Sequence, residues 1–130
     1  MIEALYNREV YQMAQVLMDR SLLKHQAVAS NIANIETPGY KRVDFDSRFE
    51  AQLRSMLKSG DIEGLSNFEH KLSVDTQTPS VRPDGNNVQL EDEMLAMNRN
   101  ALEYEFLSKY MSKSFGRIKT AITGNTAGSI

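Results

Sequence analysis

The residue types that most often carry chemistry are few in this sequence. Histidine occurs twice, at His25 and His70, and neither has a second histidine, a cysteine or a carboxylate three or four residues away. Cysteine is absent, which excludes disulfides and thiolate-held metals. Asp44 and Asp46 alternate with apolar residues, a pattern that favours a half-exposed extended segment over a pair of carboxylates for acid–base catalysis.

Residues 84–95 begin like a calcium-binding loop, because DGNN places oxygen-bearing side chains close together. A calcium loop of this type requires glycine at its sixth position and glutamate at its twelfth, where this chain has Gln89 and Leu95. Glycine-rich phosphate loops and nucleophile motifs are missing as well. The sequence therefore predicts no catalytic, cofactor-binding or metal-binding residues, and it predicts that the protein is not an enzyme.

The composition restricts the kinds of partner. The 130 residues include 15 basic and 17 acidic side chains, a net charge of −2, so the chain lacks the basic surface typical of nucleic-acid-binding proteins. Hydrophobic residues make up 41% of the chain, yet no apolar run is long enough to span a membrane. The first ten residues, MIEALYNREV, carry charges throughout and do not resemble a cleaved secretion signal.

The last third of the chain carries the clearest helical pattern. Apolar residues recur there at alternating steps of three and four, as in a helix that packs along a seam. This stripe consists of Met94, Met97, Ala101, Tyr104, Met111, Phe115, Ile118 and Ile122, with Ser108 as its polar member. Four further apolar residues widen it, so we expect the helix to meet more than one neighbour. These are Leu95, Leu102, Phe106 and Leu107.

The ends of this helix also have sequence signals. Either Asn86 or Asn87 is predicted to cap its start, and Asn86 with Gln89 has the spacing of a capping box. Gly124 is predicted to end it. A helix over residues 88–123 would be about 54 Å long. We therefore expect part of its apolar stripe to stay uncovered in a single chain.

The N-terminal region predicts a second long helix with a more polar face. Apolar residues share one three-four track with polar ones, and polar residues in a seam can fix register and partner. The track consists of Val10, Ala14, Leu17, Ser21, Lys24, Val28, Asn31 and Ile35. Asn31 and Asn34 are predicted as register or capping residues. Pro38 disfavours helical geometry at Thr37, and Gly39 can adopt positive φ, so the helix should end at the turn formed by Thr37, Pro38, Gly39 and Tyr40.

The segment between the two helices is mixed in character. Residues 47–58 predict a short amphipathic helix, ended by Gly60, and Leu72 with Val74 suggests a brief strand. A polar interval of this length is usually a functional loop or a disordered segment. We thus predict a mainly α fold, with two long antiparallel, coiled-coil-like helices. Its three regions are 1–40 (helix and turn), 41–85 (largely irregular) and 86–130 (helix and flexible tail).

Several motifs together resemble those of bacterial flagellar rod and hook proteins. SNIAN at residues 30–34 and TPGYK at residues 37–41 are similar to the N-terminal signature of that family. RPDGNNV at residues 82–88 is similar to its C-terminal signature. YKRVDF at residues 40–45 and the lack of a large inserted domain point to the proximal rod proteins within this family.

This resemblance implies a structural subunit of the flagellar basal-body rod, a hollow shaft that transmits motor torque and serves as an export channel. It implies export by the flagellar type III apparatus without a cleaved signal, and self-association through the terminal helices. Implied partners are other proximal rod subunits, the MS-ring junction protein FliE and the export apparatus. The terminal helices of such subunits are commonly mobile before assembly.

One alternative from the residues alone is a soluble helical adaptor or chaperone that binds partner helices. Both hypotheses place the contacts on the helical stripes, but the adaptor hypothesis does not account for the turn motif that ends the first helix. The predicted interface residues are Val10, Leu17, Val28, Asn31, Asn34, Met94, Met97, Tyr104, Met111, Phe115 and Ile118. In the free chain we expect mobility in the first ten residues, in much of residues 61–81 and in the tail after Gly124.

Overall fold

The computed structural model describes residues 2–124, with side chains from residue 8 onward. Two long antiparallel helices form a rod, and a small hairpin with two short helices packs against one side of it, which confirms the predicted fold class. The elements are α1 (Ile2–Ala33), β1 (Val43–Phe45), α2 (Ser47–Ser59), α3 (Ile62–Ser66), β2 (Leu72–Val74) and α4 (Leu90–Thr123). The predicted flexible tail, residues 125–130, lies outside the described residues.

The α1 helix packs on α4 through the track that its sequence predicts. Ala14, Ser21, Val28 and Asn31 are all buried on this face. Near one end of the pair the ring of Tyr11 contacts the ring of Phe115 edge-on, with 5.2 Å between centroids.

The face of α4 that meets α1 is more polar than the predicted stripe. Glu93, Asn100 and Leu107, spaced by seven residues, are its buried members. Ser21 Oγ donates to Asn100 Oδ1 at 3.0 Å, and Asn100 Nδ2 donates to the Ser21 carbonyl at 2.7 Å. Because each polar group is satisfied only in this alignment, the layer fixes how far α4 is shifted along α1.

The predicted start of α4 is wrong in two respects. The helix begins at Leu90 rather than Val88, and Gln89 is the N-cap, without a side-chain hydrogen bond. Neither Asn86 nor Asn87 caps it, and the capping-box spacing of Asn86 and Gln89 has no structural counterpart, because both asparagine amides bond to other segments. At the other end Gly124 adopts φ 63° and terminates the helix as predicted.

The middle segment is better organised than its sequence suggests. The predicted amphipathic helix is present as α2, capped by Asp46 and ended by Gly60 at φ 69°. The predicted strand at residues 72–74 is also present and pairs antiparallel with β1. The additional helix α3 was not predicted.

A small aromatic cluster holds this segment together. The rings of Phe45 and Phe49 stack with 4.9 Å between centroids, and Phe68 lies 4.7 Å from Phe49. Leu53 of α2 and Leu65 of α3 are buried beside them. Since α3 and β1 both contact α1, the cluster attaches the middle segment to the N-terminal helix.

Candidate assembly site

Three buried asparagines, Asn31, Asn86 and Asn87, join the helix pair to the turn and the hairpin, and we call them the asparagine junction. Asn31 pairs with the backbone of Val43 as a neighbouring strand would. Its Oδ1 accepts from the Val43 N–H at 2.8 Å, and its Nδ2 donates to the Val43 carbonyl at 3.0 Å. The same side chain accepts from the Tyr40 hydroxyl and donates to Glu93 Oε2. One side chain thus connects α1, the turn, β1 and α4.

Asn86 binds the end of α1. Its Nδ2 is directed at the carbonyls of Asn34, Ile35 and Thr37, at 2.9–3.0 Å. The Asn34 carbonyl also accepts from the Thr37 N–H and the Thr37 carbonyl from the Tyr40 N–H, so Asn86 adds a further bond to this segment and ties it to the loop before α4. Arg82 reinforces the contact by donating to the Ile35 carbonyl.

Asn87 binds the open end of the hairpin. Its Oδ1 accepts from the Arg42 N–H at 2.7 Å, and its Nδ2 donates to the carbonyls of Asp75 and Thr78. The backbone N–H of Asp75 in turn donates to the Arg42 carbonyl at 2.8 Å. The loop before α4 is therefore tied to both strands.

Arg42 is the charged centre beside the junction. Its guanidinium pairs with Glu93 at 2.8 Å, with Asp75 at 2.5 Å and with Asp44 at 3.1 Å. Burial alone would lower the pKa of Arg42, but its hydrogen bonds to Glu93 and Asp75 and the surrounding carboxylates raise it well above its ordinary value. The arginine stays charged and compensates Glu93, whose exposed fraction is 1%.

The neighbouring carboxylates are shifted in the opposite direction. Burial alone would raise the pKa of Asp75, but bonds from the Thr78 hydroxyl and N–H and from Arg42 lower it well below its usual range. Burial also opposes ionisation of Asp44, and the pKa of Asp44 is lowered chiefly by its bond to Lys24, 2.6 Å away. Arg42, Asp75 and Asp44 therefore stabilise one another in their charged forms.

The arrangement does not resemble a catalytic centre. Among residues 8–124, no group of three or more histidine, cysteine, aspartate or glutamate side chains could hold a metal ion. His25 is exposed. His70 lies against Phe49 and Phe68 with its Nδ1 buried and unpartnered, and burial lowers its pKa despite nearby Asp19. The described polar groups hold segments of the chain together.

The predicted interface residues fall into two sets. On α1, Val28 and Asn31 are buried within the chain, Val10 and Leu17 are half-buried, and Asn34 bonds to Thr37 and Ser30 at the helix end. On α4, Met97 and Met111 are half-buried. The remaining members of the α4 set are exposed in the single chain: Met94, Tyr104, Phe115 and Ile118.

A second apolar row on α4 faces away from α1, and we call it the outer face of α4. It consists of Leu95, Leu102 and Phe106, all exposed. At 3.6 residues per turn, Leu102 and Phe106 lie on the side of the helix opposite Asn100, which faces α1. Their exposed fractions are 68% and 69%. Exposed rows of large apolar side chains are typical of protein–protein contact surfaces.

The turn that the sequence singled out sits beside the junction. Gly39 has φ 72°, which confirms the predicted positive φ. Tyr40 reaches Asn31 and Ser30 through its hydroxyl.

The importance of Arg42, Asn87 and Glu93 was not predicted, although Glu93 and Asn100 are seven residues apart and that spacing could have indicated a polar seam. Within the described chain, no helix is long and apolar enough to cross a membrane.

Comparison with known proteins gives consistent matches. The family described as "Flagella basal body rod protein" matches residues 23–41, which cover the end of α1 and the turn. "Flagellar basal body rod protein FlgB" of Bacillus subtilis (strain 168) is 33% identical over 117 residues, covering 82% of this chain and 88% of that protein. The protein of the same name from Cereibacter sphaeroides is 30% identical over 121 residues (85% and 91%), and that from Borrelia hermsii 27% over 134 (87% and 98%).

Proposed function

Because this chain belongs to the FlgB family of flagellar basal-body rod proteins, and is thus a structural subunit of the rod, we propose that it joins its neighbours through the outer face of α4. In this proposal α1 and α4 lie in the wall of a hollow shaft that transmits torque and encloses an export channel. The asparagine junction holds the middle segment at a fixed angle, so that it projects from the helix pair and contacts neighbours outside it.

The observation that carries the proposal is the outer face itself. Leu102 and Phe106 expose most of their side chains to water. They lie on the side of α4 opposite the polar face, whose hydrogen bonds are formed with α1. Burying the two side chains against a neighbouring helix would contribute on the order of 2 kcal/mol each. Such a gain is available only on assembly.

The junction supplies the stiffness that a torque-bearing subunit requires. Asn31, Asn86 and Asn87 are buried; the side chains of Asn31 and Asn87 each bond to at least two other segments of the chain, and that of Asn86 joins the end of α1 to the loop before α4. Rotation of the middle segment about the helix pair would break several of these bonds and leave buried polar groups unpaired, at about 1–3 kcal/mol each. We infer that the junction resists bending between the two parts.

Family membership supports the choice of partners. We propose that the neighbours are other proximal rod subunits and the junction protein FliE, and that the flagellar type III apparatus exports the chain without a cleaved signal. On this view the protein has a mechanical role and no catalytic one.

The test is the double variant L102D/F106D in cells that depend on this chain for swimming. We expect loss of swimming in soft agar and absence of the variant from purified basal bodies, because two carboxylates cannot be buried in an apolar contact. L102M/F106L is the matched control, since it changes the same two positions and keeps them apolar. Circular dichroism of the purified variants checks that all remain folded. Normal swimming of L102D/F106D would refute assembly through this face.

A further inference from the structure

The edge of β2 that faces away from β1 is open in the single chain. The Asp75 N–H donates to the Arg42 carbonyl at 2.8 Å, and Val43 lies opposite Val74. Hydrogen-bonded and non-hydrogen-bonded pairs alternate along an antiparallel ladder, so the backbone N–H and carbonyl groups of Val74 and Leu72 are directed away from β1. Among the described residues these groups have no hydrogen-bond partner.

The other edge of the hairpin is closed. Val43 is directed away from β2 in the same way, and Asn31 binds both its N–H and its carbonyl. At the β2 edge Val74 instead exposes 54% of its surface. Proteins often keep such an edge from pairing by making the strand short and charged, and β2 has three residues with Lys71 beside them. The order of the residues along β2, however, favours one particular partner.

The residues along this edge are complementary to themselves. Residues 71–75 read KLSVD, with opposite charges at the two ends and two apolar residues around a central serine. When two copies run antiparallel with Ser73 opposite Ser73, Leu72 of each copy lies opposite Val74 of the other. These become hydrogen-bonded pairs, as their outward backbone groups require, and four bonds form between the copies.

We propose that the open edge of β2 binds β2 of a second copy of this chain, in a two-fold dimer centred on Ser73. The four strands then form one sheet, in which Val74 lies between Val43 of its own chain and Leu72 of the other. Apolar cross-strand neighbours of this kind stabilise a sheet. A two-fold contact uses the same surface on both copies and closes at a dimer, so the contact belongs to the free subunit and not to the open shaft. It does not involve the outer face of α4.

Charge selects this register among those that the backbone allows. Lys71 of one copy lies opposite Asp75 of the other, whereas a slip by two residues sets Asp75 opposite Ser73 or Glu69. Asp75 belongs to the Arg42 cluster, in which three carboxylates meet one arginine and one lysine. The oxygens of Asp75 already accept bonds within the chain, so Lys71 of the second copy contributes a balancing charge rather than a new bond.

Disulfide formation in S73C tests the dimer directly, because the chain has no other cysteine. Ser73 and its counterpart form a non-hydrogen-bonded pair, whose Cα atoms lie about 4.5 Å apart, within the range for a disulfide. T76C is the matched control, since Thr76 is exposed beside β2 but would lie roughly 20 Å from its counterpart. Under mild oxidation we expect S73C to form a covalent dimer and T76C to remain monomeric. A monomeric S73C, or equal linkage of both variants, would overturn the proposal.

The variant V74P tests which groups make the contact. The Val74 N–H is directed away from β1, so proline there leaves the pairing of β1 with β2 intact and removes two of the four bonds between the copies. The control V74I keeps the N–H and an apolar β-branched side chain. We expect V74P to weaken dimerisation about tenfold or more in sedimentation equilibrium, and V74I to dimerise like wild type. Equal dimerisation of V74P and V74I would show that the edge is not the contact.

The dimer and the shaft contact can be tested separately. Both measurements are made in the L102D/F106D background, so that the outer face of α4 contributes nothing to association. If S73C stays monomeric there, the dimer is wrong and the proposed function stands. If L102D/F106D swims normally while S73C dimers still form, the proposed function is wrong and the dimer stands.

Discussion

Asn86 shows how much of the fold can depend on one amide. Its Nδ2 faces three carbonyls at the end of α1, and its Oδ1 accepts from the Val88 N–H at 2.8 Å. N86D keeps the shape but directs a carboxylate oxygen at those carbonyls, so we expect the free energy of unfolding at pH 7 to fall by about 3 kcal/mol or more. Urea denaturation measures the change. Asn98→Asp, on the exposed side of α4, is the matched control and should change stability little.

The Arg42 cluster predicts how stability depends on pH. The folded-state pKa of Asp75 is lowered, so its contribution is present above the unfolded pKa of about 3.9 and is lost as pH falls below that value. We expect D75N to be less stable than wild type at pH 7, and its stability to decline less steeply between about pH 5 and pH 2. Urea denaturation across this range, with exposed Asp92→Asn as the control, measures both effects. Parallel curves for D75N and wild type would contradict the account.

At the scale of elements, the turn between α1 and β1 depends on the backbone of Gly39. An added Cβ there would meet the Asp84 carbonyl at 3.9 Å, which is ordinary contact, so the cost of G39A is conformational. With φ at 72°, we expect G39A to lower the free energy of unfolding by roughly 1–2 kcal/mol. Gly116 lies inside α4 with open space around it, and G116A should raise stability by roughly 0.5–1 kcal/mol. Thermal unfolding of the two variants should therefore shift in opposite directions, and a G39A variant at least as stable as wild type would exclude this role for Gly39.

The elements also show where sequence patterns succeed and fail. The inner face of α1 was predictable although Ser21, Lys24 and Asn31 are polar, because one three-four track fixes a helix face regardless of residue type. On α4 the apolar three-four track was recognisable in the sequence. It runs beside the more polar face of Glu93, Asn100 and Leu107 that packs against α1. Periodicity identifies faces of a helix and does not say which neighbour covers each face.

Asn86 and Asn87 illustrate a different limit. Asparagine before a helix is favoured as a cap, yet the same amide can satisfy any backbone group within reach. Their partners, at residues 34–37 and 75–78, are distant in sequence, so no local pattern could reveal them. The five-residue α3 was missed because it is shorter than two helical turns and contains Gly64.

At the scale of the whole molecule, the described chain combines an interior with many polar bonds and an exposed apolar face on α4, which we propose is the surface used for assembly. The polar interior determines register and angle, whereas apolar area is concentrated on α4, where a single chain does not cover it. The expected mobility of the first ten residues and of much of residues 61–81 in the free subunit stays a prediction. It concerns the dilute chain, in which the outer face of α4 has no neighbour.

The central claim is that the outer face of α4 is buried in the rod, and the absence of cysteine from the chain allows a direct measurement. L102C would be the only thiol of this chain, and its reaction with a maleimide reports the accessibility of that position. We predict rapid labelling of the free subunit and strong protection in purified basal bodies, with full labelling restored when those basal bodies are denatured. Equal labelling rates in the free and assembled states would contradict the account.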